Sequence, residues 1–109
     1  MKATSLRLSF SDCREPGAVC FEEHPGYIAT PHFGVCRAPR DGKFWQVIHL
    51  ATGAVAGIQD RYRTRAAAIA HARLLENAPI CWARVRGPSR RLLRRVRAWL
   101  EQNRRGEKP

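Results

Sequence analysis

FWQVIHLATGAVAGIQDRYRTRAAAIAHARLLEN, residues 44–77, holds three consecutive elements and decides the fold. Phe44 to Leu50 is rich in aromatic and β-branched residues, Ala51-Thr52-Gly53 is a short turn, and Ala54 to Ile58 returns, so the segment predicts a β-hairpin with glycine where a positive φ is needed. Thr64 then caps a helix through Asn77, because its hydroxyl can accept from the first free amides. Ala68, Ile69, Ala72 and Leu75 recur at the three-and-four spacing of one helical face, which is turned to the sheet. Asn77-Ala78-Pro79 stops that helix, since the residue before a proline is driven out of the α region.

Toward the N-terminus, Leu6, Leu8 and Phe10 alternate with polar residues as a short strand does. Pro16-Gly17 and Pro25-Gly26 punctuate turns around a short strand at Ala18 to Phe21. Tyr27, Ala29, Phe33 and Val35 share one face of a further strand, with Pro31 requiring an edge or a bulge. Ile80 to Val85 is expected to add one more strand.

The C-terminal stretch RVRGPSRRLLRRVRAWLEQNRRGEKP, residues 84–109, carries nine arginines and one lysine against Glu101 and Glu107. It supplies +8 of the chain's net +11, whereas residues 1–36 sum to −1. Ser89 is the expected N-cap, and Leu92, Leu93, Val96, Trp99 and Leu100 form one apolar helical face. Arg90, Arg91, Arg94, Arg95 and Arg97 fall on the other. Gly106 follows a basic last turn, where the helix dipole favours Arg104 and Arg105.

The expected fold is therefore α+β: an antiparallel sheet of about four or five strands followed by two helices packed on one side, the last amphipathic and arginine-rich. Residues 1–105 form one domain and 106–109 a short flexible tail. A hydrophobic fraction of 44% in 109 residues suits one modest core. No apolar run approaches the ~20 residues that span a bilayer. The opening MKATSLRLSF lacks the apolar region and small-residue cleavage site of a signal peptide. A cytoplasmic protein with reduced thiols and no membrane partner is expected.

Two constellations invite chemistry. Cys20, His24, His32 and Cys36, with Cys13 in reserve, are four soft ligands of the kind zinc takes. Each pair has three intervening residues, a spacing that converges on a helix; Pro25, Pro31 and Gly34 oppose a helix there, and on a strand the side chains stand about 13 Å apart. No metal or other cofactor is expected. His49 or His71, with Arg61, Arg63 or Arg65, has the residue types of a small basic ribonuclease toxin, imidazole as base and guanidinium for the developing charge. No spacing forces them together, so the expectation is a protein that is not an enzyme.

Binding is the better-supported reading. Ten cationic side chains in one segment cannot all be neutralised by nine acids spread over the chain, so an external polyanion is expected. The candidate contacts are Arg61, Tyr62, Arg63 and Arg65 before the first helix, Arg84 and Arg86 before the second, and Arg90, Arg91, Arg94, Arg95, Arg97, Arg104 and Arg105 on it. Tyr62, and Trp45 if exposed, have rings on which a base could stack. The bland alternative is a solvated face in a protein whose arginines reflect codon bias, with Tyr62 buried at the junction before the helix. Seventeen arginines against three lysines favour bidentate recognition of phosphate or carboxylate. The expected partner is a nucleic acid or nucleoprotein complex, or an acidic protein surface. The corresponding functions are a nucleic-acid-binding accessory protein, or a protein inhibitor of a host defence nucleoprotein complex, of the anti-CRISPR kind carried by phages and plasmids.

Overall fold

The computed structural model describes residues 2–11, 19–39, 42–56, 62–87 and 89–106, the side chains of Ser11 and of residues 104–106 excepted. Five antiparallel strands pair in chain order: β1 (Ala3–Ser11), β2 (Val19–Ile28), β3 (Phe33–Arg37), β4 (Trp45–His49) and β5 (Val55–Ala56). Helices α1 (Arg65–Glu76) and α2 (Arg90–Gly106) follow. The α+β arrangement is the expected one, and the β4–β5 hairpin turns at Gly53 with φ +74°. Thr64 Oγ1 accepts from Ala67 N at 3.1 Å and Ser89 Oγ from Leu92 N at 3.1 Å, so both helix starts are capped as the sequence implies.

Four local expectations are corrected. The short strand expected at Ala18 to Phe21 runs on through Pro25-Gly26: its described part, Val19 to Phe21, opens the ten-residue β2, paired with β1 from Ala3↔Tyr27 to Ser11↔Val19, and Ala18 lies outside the described residues. Pro31 sits neither in an edge strand nor at a bulge: Ala29 and Thr30 both donate to Phe33 O at 3.0 Å, so β2 and β3 are joined by a tight turn that contains it. Ile80 to Val85 is not a strand. Its centre is a 3₁₀ turn, Trp82–Arg84, because both ends of Trp82 are anchored elsewhere. Its indole Nε1 donates to Leu75 O at 2.8 Å and its carbonyl accepts from His49 Nε2 at 2.9 Å. At the other end, α2 runs through Gly106 instead of stopping before it.

The sheet is covered on both faces. On one, Phe33, Val35 and Val47 meet Ala68, Ala72 and Leu75 of α1, with Trp82 and with Val96 of α2. Both helices thus lie on the same side. On the other, Leu6 and Leu8 of β1 cover Cys36 and Ile48. The β1–β2 ribbon curls back across this face until Ser9 N donates to Gly53 O at 2.9 Å. Glycine permits that approach twice. A Cβ on Gly53 would stand 2.6 Å from Arg7 O, and one on Gly26 would stand 2.6 Å from Val35 O and 2.7 Å from Leu6 Cδ1. Helix α2 packs less completely than α1. A cavity of about 50 Å³, lined by Val55, Ala56, Leu92 and Val96 among others, separates it from β5, and Leu93 stays exposed.

Candidate functional site

The arginine face of α2 emerges from its apolar stripe. Val96 is buried and Leu92, Trp99 and Leu100 are partly buried against the core, which turns Arg90, Arg91, Arg94, Arg95 and Arg97 outward. Arg95 leans on the connection and donates to Pro79 O at 3.1 Å. Among the described residues Arg90, Arg91, Arg94 and Arg97 form no ion pair. Arg84 and Arg86 are exposed on the connection between the helices. Arg104 and Arg105 lie in the last turn of α2, and Arg61 falls outside the described residues, as do Cys13, Ile58, Pro16 and Gly17.

The cluster before α1 divides. Arg63 and Arg65 are exposed, but the ring of Tyr62 packs 5.1 Å from that of His71, and its backbone exchanges hydrogen bonds with Trp45. Tyr62 therefore joins the sheet to α1 and is half-buried there. A second set of half-buried rings, Tyr27 and Trp45, lies against exposed arginines. Strand register puts Arg37 opposite Trp45, and its Cζ lies 5.2 Å from the indole centroid. Trp45 is 6.2 Å from Tyr27, and Arg65 Cζ sits 4.8 Å over the Tyr27 ring. Arg37, Trp45, Tyr27 and Arg65 make one continuous row, drawn from four elements. Sequence reading placed only Arg65 and Trp45 as candidates, because the row needs β2–β3–β4 register, which no local pattern reveals.

The histidines are occupied by structure. His49 is 3% exposed, donates through Nε2 to Trp82 O, and accepts at Nδ1 from Thr52 Oγ1 at 2.8 Å, while Thr52 Oγ1 also accepts from Ala54 N. In the neutral ring the Trp82 carbonyl fixes the proton on Nε2. His71 buries Nε2 with no hydrogen-bond partner. Burial holds both imidazoles below their ordinary range; for His49 the Trp82 carbonyl and Glu76 oppose it and His32 adds to it. His32 is tied instead to Glu76, which accepts its Nδ1 proton at 2.7 Å and its backbone amide at 2.9 Å. Burial raises the Glu76 pKa, but the bonds from His32 and Thr30 outweigh it and leave the carboxyl below its usual range.

These shifts act in one direction. The unfolded chain binds protons near pH 6.5 that folded His49 and His71 refuse, so stability is full above that pH and is lost as pH falls through it. Each histidine contributes a slope of at most about 1.4 kcal/mol per pH unit, and Glu76 extends the loss below pH 4.5. Urea midpoints should therefore drop steadily between pH 6.5 and 5. A flat midpoint over that interval would mean that both rings protonate freely inside the fold.

The soft ligands are dispersed. Cys36 is fully buried beneath β1, where burial pushes its thiol up to about 11, so it is a thiol and not the thiolate a metal takes. His32 stands on the opposite, helix-covered side with Glu76, and His24 pairs with Glu22 at 3.1 Å. Among the described residues no three His, Cys, Asp or Glu side chains converge to hold a metal. No helix among them is long and apolar enough to cross a membrane. No family model, curated protein or solved structure matches the chain.

Proposed function

We propose that this protein binds nucleic acid, or a complex containing it, through the arginine face of α2. The observation that carries the reading is the set Arg90, Arg91, Arg94 and Arg97: exposed, with Arg94 three or four residues from each of the others, and without an ion pair among the described residues. Like charges at that spacing each cost a few tenths of a kcal/mol, about 0.2–0.5. A polyphosphate backbone removes the repulsion and releases its own counterions, which makes binding strongly salt-dependent. Guanidinium groups also grip carboxylates bidentately, so an acidic protein surface is the second class of partner the same face accommodates.

Two measurements on the intact protein separate these. Anisotropy titrations of labelled oligonucleotides across a salt series should give a log–log slope steeper than about −3. Affinity capture from a lysate with and without nuclease provides the counterpart. A protein partner retained after nuclease treatment, with oligonucleotide binding absent, would transfer the proposal to an acidic protein target, such as a protein of a defence nucleoprotein complex.

A further inference from the structure

The row Arg37–Trp45–Tyr27–Arg65 lies away from the α2 face in sequence and has a different chemistry. We infer that it is a stacking site for the unpaired bases of single-stranded nucleic acid. This rests on the nucleic-acid reading above and names the form of nucleic acid that the protein prefers.

Three observations converge. The members alternate cation, ring, ring, cation at centroid separations of 5.2, 6.2 and 4.8 Å, and both arginines are exposed. Each guanidinium carbon lies over a half-buried ring while its side chain is exposed, so a base arriving from solvent can stack beside the pair. Second, the two arginines have no ion pair among the described residues; Arg37 donates to the Gly42 carbonyl, which leaves its charge uncompensated. Third, β3, β4, β5 and the first turn of α1 contain no acidic residue, the two acids of β2, Glu22 and Glu23, lie four or more residues along that strand from Tyr27, and Arg63 stands exposed two residues before Arg65. Exposed cations thus border both half-buried rings.

A duplex cannot use such a row. Its bases are stacked on one another and present only their edges, whereas a single strand splays its bases onto aromatic and guanidinium planes with little regard for sequence. Phosphates following the strand would meet Arg63. On α2 the ring, Trp99, lies on the apolar stripe against the core and not among the arginines, so that face has no such means of telling the two forms apart.

The test uses matched single-stranded and duplex oligonucleotides of one length, titrated against the wild-type chain and against Arg37→Lys/Arg65→Lys. Lysine keeps both charges and loses both planes. The wild type should prefer the single strand by about tenfold or more, and the double variant should lose most of that preference with duplex affinity little changed. Ultraviolet crosslinking of the wild-type complex, followed by peptide mapping, should place crosslinks at Trp45 or Tyr27 without needing any variant. Equal wild-type affinities, a preference that survives both lysines, or crosslinks confined to α2 would overturn this inference while leaving the salt-dependent binding of the α2 face standing. Absence of oligonucleotide binding altogether would end both.

Discussion

Replacing Arg90, Arg91, Arg94 and Arg97 together by glutamine should weaken oligonucleotide binding by roughly two to three orders of magnitude at low salt and make the salt slope shallower by about 3. Each phosphate contact on a single strand contributes about 0.7 to the slope, so removing four contacts removes about 3. The choice of positions follows from the structure. Arg95 is left in place because its bond to Pro79 O helps seat α2. Glutamine is preferred to serine because it is a good helix former, and α2 is held mainly by Val96 with the partly buried Leu92, Trp99 and Leu100. All four arginines are exposed, so the melting temperature should move by no more than a few degrees. A folded quadruple variant with wild-type affinity and slope would remove the phosphate contact from this face.

The largest effect on folding is expected at Gly53. Gly53→Val forces a β-branched residue to φ +74° and drives its Cβ against Arg7 O at 2.6 Å and Ser9 N at 2.9 Å. The turn cannot relax without giving up the Ser9 N to Gly53 O bond that holds β1 across the sheet. Leu6 and Leu8 would then lose their seat over Cys36 and Ile48. The loss should reach about 3–5 kcal/mol, a large share of the ~5–15 kcal/mol that stabilises a domain of this size. Thermal melting should drop by roughly 15 °C or more. Gly42→Ala is the matched control, because nothing lies within 4 Å of its Cβ position and its φ is not positive, and it should stay within about 0.5 kcal/mol of wild type. A Gly53→Val protein that melts within a few degrees of wild type would mean that β1 is not fastened at this turn.

Elements with a strong local period were readable in advance. The β4–β5 hairpin, α1 with its Thr64 cap, and α2 with its Ser89 cap each announce themselves through spacing and a single start or turn residue, and all three form as expected. Ile80 to Val85 misled because a short apolar run is compatible with a strand. Two long-range hydrogen bonds through Trp82 decided otherwise. The β2–β3 turn misled because Tyr27, Ala29, Phe33 and Val35 do share a face, but across a hairpin and not along one strand.

The candidate surfaces divide along the same line. Composition alone concentrated charge at residues 84–109, and helical periodicity alone split that segment into an apolar stripe and an arginine face, because neighbours three and four apart are set by the helix itself. Tertiary structure decided that Tyr62 packs on His71, that Cys20, His24, His32 and Cys36 do not converge among the described residues, and that Arg37, Trp45, Tyr27 and Arg65 stand in one row. It also decided that β1 crosses the far face to reach Gly53. The physical reason is common to all four. Strand register and sheet curl are chosen by contacts between residues far apart in the chain, and a side chain's neighbours across a sheet leave no trace in its neighbours along the sequence.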